Sequence, residues 1–429
     1  ALPGPGDCKA PMTTDPIVAA LDIGTAHTTA LVAAVQGDLP RTPILRIMGV
    51  GRTRTMGLRR GVVSDIEEAT LSIRKAMEEA VRVAGVAPDS LYVGIAGEHV
   101  RAISSTGVVA ISGDEIRRSD VERVNEVARA MAIPQDRELL HAIPQEYRVD
   151  KNIGIRDPVG MIGTRLETEM YLVTIGTSPA MNLRKSIERA GYKTRELVLE
   201  PIASALAVLT EEEKELGVLL LELGAGTTDL AIFHEGKIRH LASIPYGGNS
   251  VTGDLVQGLG VTQSDAEQLK EVYGCAYEPM VNTDELIAVP ATATHGERHL
   301  SRELMAHIIH QRMDEVFDLV QRDIKTAGYG GRLNAGMVLT GGGAAMEGIA
   351  ELAADVFGVG VRVGVPHDKL TGLRESVADP RFSTVTGLAL YGAYRVAIGG
   401  VVARRPSSIG GAGVDKIAGR VKTWLQDFF

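Results

Sequence analysis

The run Ile17-Val18-Ala19-Ala20-Leu21-Asp22-Ile23-Gly24 is apolar until its last few positions, which predicts a buried strand ending in a polar turn. Residues 28–35 read as a second strand, so the pair predicts a hairpin with its turn at 22–27. Apolar residues then recur at helical spacing at Ile66, Ala69, Ile73, Ala76, Met77, Ala80, Val81 and Ala84, and Gly85 is the stop signal. Residues 91–96 form another strand pattern. From about 100 to 170 the pattern changes to short strands, a helix over 119–131 capped by Ser119, and a Pro-rich polar segment over 143–159. Regular patterning returns with a strand at 170–176, a helix at 180–190 and a strand feeding a helix across 197–209. Strands at 218–223, 228–234 and 237–244 come next, then a mostly helical stretch over 250–335 with a loop around 281–298. A strand at 337–340 runs into three glycines and a helix reaching 357, and 384–397 is a helix of small residues.

The second half therefore opens as the first does. Asp22-Ile23-Gly24-Thr25 is matched ~200 residues later by Glu222-Leu223-Gly224-Ala225-Gly226-Thr227, an internal repeat that implies two similar lobes. The first lobe is expected at 16–98, 170–210 and 384–398, interrupted by an inserted subdomain at 99–169. The second is expected at 211–249 and 336–383, with a subdomain of its own at 250–335. Residues 1–15, whose first eleven are patternless and precede Met12, read as a disordered tail or expression remnant. The Gly, Ser, Pro and Arg of 399–413 read as a flexible linker to a last patterned segment, 414–429.

Composition narrows the function. With 45 Lys and Arg against 54 Asp and Glu, the formal net charge of −9 argues against a nucleic-acid coat, which needs a basic face. Cys8 and Cys275 are the only cysteines, so neither a disulfide framework nor a Cys-ligated zinc is expected, and a reducing compartment fits. No charge-free apolar run reaches the ~18 residues of a spanning helix, and no basic and then apolar leader opens the chain. The expectation is a chain that neither crosses a membrane nor is exported. Its 49 glycines, with only 4% aromatic residues, suit a fold built on close backbone approaches.

Glycine- and threonine-rich hairpin turns present backbone N–H groups and hydroxyls to an anion, and a carboxylate at the strand end can hold the water shell of Mg2+. Asp22, Gly24, Thr25 and Thr28 supply this set in the first lobe; Glu222, Gly224, Gly226, Thr227 and Thr228 supply it in the second. Opposed, the two turns would grip a polyphosphate from both sides, with Asp22 and Glu222 converging on the metal through water. Gly341-Gly342-Gly343 lets a base or ribose lie against backbone. Both GxGxxG and GxxxxGK[ST] are absent, which removes the usual support for dinucleotide and P-loop chemistry. In the terminal segment Ile417, Val421, Trp424, Leu425 and Phe428 share one helical face with Phe429 beside it, while Lys416, Arg420, Lys422 and Asp427 lie elsewhere. Such a helix either docks on the body or lies flat in a membrane interface.

These motifs, in this order, resemble the actin-like ATPase superfamily: an α/β, two-lobed fold of duplicated ribonuclease-H-like domains carrying two phosphate hairpins and an adenosine turn. Leu199-Glu200-Pro201-Ile202-Ala203-Ser204-Ala205 and Val385-Thr386-Gly387-Leu388-Ala389 are similar to its two interdomain helices. The resemblance implies ATP and Mg2+ as cofactors, Glu200 as the residue that positions attacking water, and Glu267 and Lys270 lining the ribose and adenine pocket. It adds His27 to the first phosphate turn and Met346 to the adenosine turn. Glu222 departs from the more usual Asp, so binding with weak or no hydrolysis is expected.

Within the superfamily, His141-Ala142-Ile143-Pro144-Gln145-Glu146-Tyr147 and Gly154-Ile155-Arg156-Asp157-Pro158-Val159-Gly160 closely resemble the distinctive segment of the FtsA family of bacterial division proteins. That resemblance implies an FtsA-type inserted subdomain, polymerisation with copies of itself, and binding of the FtsZ C-terminal peptide in 250–335. It also implies further division-protein partners and a C-terminal amphipathic helix that attaches the chain to lipid at the cytoplasmic face of the inner membrane, at the septum. His141 lies away from both hairpins in sequence and is read as structural. The alternatives are an MreB-like filament, which lacks the 141–160 segment, and a small-molecule kinase, which needs a general base beside a polar substrate cleft.

Overall fold

Strands β1 (Ile17–Ile23) and β2 (His27–Asp38) form the first hairpin, and β3 (Thr42–Arg54) extends it antiparallel. The structure, a computed structural model, describes residues 15–38, 42–291, 296 and 298–403. The small hairpin β4 (Leu58–Arg59) and β5 (Val62–Val63) leads to α1 (Ile66–Ala84), which starts on the Asp65 side chain and stops at left-handed Gly85, as the pattern predicts. Strand β6 (Ser90–Ile95) pairs parallel with β1. One face of this sheet, with Leu21, Ile23 and Val32, packs on Ile73 and Met77 of α1; the other, with Val18, Ala20 and Leu31, packs on the interlobe helices. Burial on both faces is why β1 reads as an unbroken apolar run.

The insertion comprises β7 (Arg101–Ala110), α2 (Arg118–Arg129), β8 (Arg137–Val149), β9 (Asn152–Ile155) and β10 (Arg165–Gly176), in the antiparallel order β7-β10-β8-β9. Three expectations are corrected here. The insertion's sheet runs through Gly176, not 169, because β10 pairs along its length with β8. Residues 143–149 are strand, not a polar Pro-rich segment: the register skips Gln145, so Pro144 sits beside a bulge that spares it a ladder bond. Helix α2 is preceded by Arg117, whose N–H donates to Asp120, so Ser119 is inside the helix and not its cap. The insertion also grips the second lobe: Lys237 Nζ donates to the Gln145 carbonyl, Arg239 pairs with Glu146 at 3.2 Å and Arg156 with Glu215 at 2.7 Å.

The first lobe resumes with α3 (Thr177–Arg189), β11 (Lys193–Leu199) and α4 (Glu200–Val208). The second begins at α5 (Glu211–Leu216) and builds β12 (Val218–Leu223), β13 (Thr228–His234) and β14 (Lys237–Ile244). Its subdomain holds α6 (Gly248–Leu259), α7 (Gln263–Tyr273), the short hairpin β15 (Leu286–Val289) and β16 (Arg298–Ser301), and α8 (Arg302–Thr326). Strand β17 (Met337–Thr340), α9 (Ile349–Phe357) and β18 (Val361–Val363) complete a sheet of order β14-β13-β12-β17-β18.

The chain returns to the first lobe earlier than the expected boundary at 383. Strand β19 (Leu370–Gly372) pairs parallel with Leu45–Ile47 of β3, burying Leu370 in the interlobe core. Helix α10 (Ser383–Ala403) follows, running five residues past the expected end at 398 and shortening the expected linker. Residues 1–14 and 404–429, with the expected tail, most of the linker and the terminal helix, lie outside the described residues. Helices α4 and α10 lie between the lobes, where Ile202, Ala205, Leu388 and Tyr391 share one core with Ala20 and Leu31 of the first sheet and Leu220 and Ala231 of the second.

Candidate functional site

The two hairpins are built alike. In the first, Ile23 pairs with Thr28 and the Gly24 N–H donates to the His27 carbonyl at 3.0 Å; in the second, Leu223 pairs with Thr228 and the Gly224 N–H donates to Thr227 at 3.0 Å. Their tips face each other. A β-carbon at Gly226 would lie 2.5 Å from Thr25 Oγ1, so only glycine allows this approach. Among the described residues the backbone N–H groups of Thr25, Ala26, Ala225 and Gly226 donate to nothing, leaving each turn a concavity of free donors of the kind that binds anions. The hydroxyls are otherwise engaged: Thr28 with Thr55 at 2.8 Å, Thr228 with the Tyr246 carbonyl at 2.9 Å and Thr227 with Asp229 at 2.7 Å.

Sheet register aims the carboxylates at the same place. Asp22 and Glu222 stand on the inner faces of their sheets, at the ends nearest the tips, beyond the apolar residues packed on α4 and α10. Glu222 is buried and accepts from Ser204 of α4 at 2.9 Å and from Thr384 of α10, so each interlobe helix holds it. Glu200 opens α4, and Gly94 of β6 makes room for it: a β-carbon there would lie 3.0 Å from Glu200 Cγ. Burial raises the Asp22 carboxyl, opposed by the Arg52 guanidinium. Burial also raises Glu200, with Asp22, Glu222 and Asp229 adding to it, and raises Glu222, against the Thr384 hydroxyl. Asp229 is raised by burial as well, so four crowded carboxyl groups resist ionising together. Among the described residues no three acidic, His or Cys side chains converge closely enough to hold a bare ion.

On the second lobe, Lys270 Nζ donates to the Gly248 carbonyl at 3.1 Å, to Thr252 at 2.9 Å and to Glu267 at 2.8 Å. The first turn of α6 that they hold is itself tied to the second hairpin turn, through Gly248 N–H to the Gly224 carbonyl at 3.0 Å and Asn249 N–H to the Ala225 carbonyl at 2.8 Å. The three glycines differ in role. Gly341, at φ 83°, and Gly343 pack against Leu223, whereas a β-carbon at exposed Gly342 would meet nothing. They open a short 3-10 turn, Gly342–Ala345, followed by Met346, and the α-helix expected there begins only at Ile349.

The structure thus gathers Asp22, Gly24, Thr25, Glu200, Glu222, Gly224, Gly226 and Thr227 at one interlobe site, with Glu267, Lys270 and Gly342 on its second-lobe side. His27 is there too, its imidazole lowered to about 4 by burial and by Arg52, Arg54 and Arg381. His141 lies elsewhere: buried, its Nε2 accepts the Leu199 N–H at 3.1 Å, one residue before Glu200. Sequence reading passed over Asp229, Gly94, Ser204, Thr384 and Arg52. Asp229 and Arg52 were within reach, since each lies opposite a hairpin position once register is counted from the turn: Glu222 with Asp229, and Thr29 with Arg52. Ile417, Val421, Trp424, Leu425, Phe428 and Phe429 lie outside the described residues, among which no helix is long and apolar enough to cross a membrane.

Known proteins resemble this chain in sequence and in fold. A family model described as cell division protein FtsA matches residues 219–387, and one for the SHS2 domain inserted in FtsA matches 97–174. The chain is 40% identical over 419 residues to the cell division protein FtsA of Pseudomonas aeruginosa, covering 96% of this chain and 98% of the relative. It is 37% identical over 383 residues to that of Escherichia coli K12, covering 88% and 90%. Among solved structures, the PilM–PilN type IV pilus biogenesis complex matches with TM-score 0.61 at 17% identity, covering 88% of this chain and 98% of that one. MreB5 of Spiroplasma citri bound to ADP matches at 0.51 and 16%, covering 87% and 95%. At such identities the likeness is one of fold, and the fold is the two-lobed actin-like one expected, with its inserted subdomain.

Proposed function

The chain belongs to the FtsA family of bacterial cell division proteins, and from that membership we propose that it is an ATP-regulated, self-assembling adaptor between FtsZ and the membrane. Supporting this reading is the meeting of Thr25 and Gly226, which sets two like-built turns with free N–H groups around one space. ATP lies there with its phosphates on the turns 24–27 and 224–227 and its adenosine toward Glu267, Lys270, Gly341–Gly343 and Met346. Mg2+ is held through water by Asp22 and Glu222, and Glu200 orients any attacking water.

Because α4 and α10 carry Glu200, Ser204 and Thr384 and also fill the interlobe core, occupancy of the site fixes the lobe angle, and through it the surface that copies use to polymerise. The FtsZ C-terminal peptide docks on 250–335. Residues 404–413 act as linker, and 414–429 form an amphipathic helix that holds the chain on the cytoplasmic face of the inner membrane at the septum. One helix binds reversibly and a polymer of them firmly, through effective concentration. Liposome co-sedimentation, with and without Mg2+ and ATP, tests this on the intact chain, a chain ending at Gly413 and Trp424→Glu. ATP-dependent pelleting of the intact chain alone is expected. Equal pelleting of all three removes the anchor, and pelleting indifferent to ATP removes the coupling.

A further inference from the structure

Among the described residues, no carboxylate pairs directly with the guanidinium of Arg52. Arg52 lies on β3 opposite Thr29, which in turn lies opposite Asp22, so Asp22, Thr29 and Arg52 form one row across three strands on the inner face of the first sheet. Its backbone N–H is fixed by Glu79 at 3.0 Å. Its guanidinium, half-buried, makes no hydrogen bond or ion pair among the described residues. A second guanidinium, that of Arg381, lies on the 3-10 turn Pro380–Phe382 that precedes α10 and is held by Asp379 at 2.7 Å. That turn is tied to the adenosine side of the site, since the Pro380 carbonyl accepts the Gly341 N–H at 3.2 Å and the Thr340 hydroxyl at 3.3 Å. Burial and the charge on Arg381 both lower the Arg52 pKa, against the pull of Asp379, Glu271 and Asp22.

A half-buried guanidinium with no directly paired carboxylate is costly while empty and is relieved by an anion. We propose that Arg52 and Arg381 form an anion subsite that takes a phosphate group of the bound nucleotide, between the first hairpin and the Gly341 turn. This rests on the nucleotide reading above and deepens it. The free N–H groups of the turns supply direction without net charge, and Lys270 and Arg381 are each paired with a carboxylate, so Arg52 supplies the uncompensated charge that a di- or triphosphate needs, with the remaining N–H groups of Arg381 beside it. Adenosine alone gains nothing from them.

Equilibrium binding of Mg·ATP, Mg·ADP and adenosine to the full chain tests the subsite, using Arg52→Gln, Arg381→Gln, Arg52→Lys and the remote Arg74→Gln. The glutamine variants should each weaken ATP and ADP by about tenfold or more, the scale of a lost charge-assisted bond, while leaving adenosine within about twofold. Arg52→Lys should recover part of the loss, and Arg74→Gln should match the unaltered chain. Arg52→Gln without ligand should melt no lower than the unaltered chain, which separates lost binding from lost fold. ATP affinity unchanged in both glutamine variants, or equal loss for ATP and adenosine, would overturn the subsite. Failure of the unaltered chain to bind ATP would instead strike the nucleotide reading itself.

Discussion

Gly226 and Thr25, on different lobes, meet so closely that a β-carbon on the glycine would lie 2.5 Å from the threonine Oγ1, with Arg60 Cα only 3.0 Å away. Thr25 cannot simply turn aside, because its hydroxyl also accepts the Gly61 N–H at 3.3 Å. Gly226→Val should therefore push the tips apart. Small-angle scattering should report a larger radius of gyration in the ligand-free variant, and a profile identical to the unaltered chain would contradict the contact.

The crowded carboxylates predict how the site depends on metal. Asp22 and Glu222 are both raised by burial, so a hydrated divalent cation between them offsets a cost that nucleotide alone does not. Mg2+ should strengthen ATP binding, and in Asp22→Asn that gain should shrink by about tenfold, one pK unit's worth of lost interaction. Titrating ATP with Mg2+ or with EDTA measures the gain, and an undiminished gain in the variant would exclude Asp22 from the metal shell.

His141 predicts an acid-sensitive junction. Burial, with Arg395 adding, lowers its imidazole to about 3, against ~6.5 when unfolded. Between those values the unfolded chain binds the extra proton, so the contribution is whole above pH 6.5 and is lost as pH falls toward 3. From pH 7.5 to 5 it should cost about 2 kcal/mol. In His141→Gln, whose amide oxygen can still accept the Leu199 N–H, denaturant melts at the two pH values should differ by that much less. An equal pH dependence would show that the imidazole does not titrate there.

The interlobe helices cross at a glycine. A β-carbon at Gly387 of α10 would lie 1.8 Å from the Ala203 carbonyl oxygen of α4, which cannot give way without moving the helix that carries Glu200 and Ser204. Gly387→Ala should destabilise the chain by about 1–3 kcal/mol despite its better helix propensity. Thermal melts read this directly, and a stabilised variant would mean the helices are looser than this packing implies.

Much of this was legible where local chemistry and packing agree. Helix α1 follows its apolar spacing from Ile66 to Gly85, and the two hairpins show in their matching Asp22 and Glu222 turns. What escaped depends on contacts distant in sequence. Leu370 joins β3, ~325 residues earlier, and no local pattern assigns it to that lobe. Pro144 reads as a loop residue until the bulge opposite Met170 accommodates it. Ser204 and Thr384 become part of the site only because two helices from opposite ends of the chain converge on Glu222.

The most direct test of a nucleotide held from two sides is titration calorimetry of Mg·ATP into the unaltered chain, Gly24→Val and Gly224→Val, each substitution crowding the carbonyl that closes its own turn, His27 or Thr227. One ATP per chain is predicted, weakened by about tenfold or more by either substitution alone. Full affinity retained when one turn is disrupted would contradict the account.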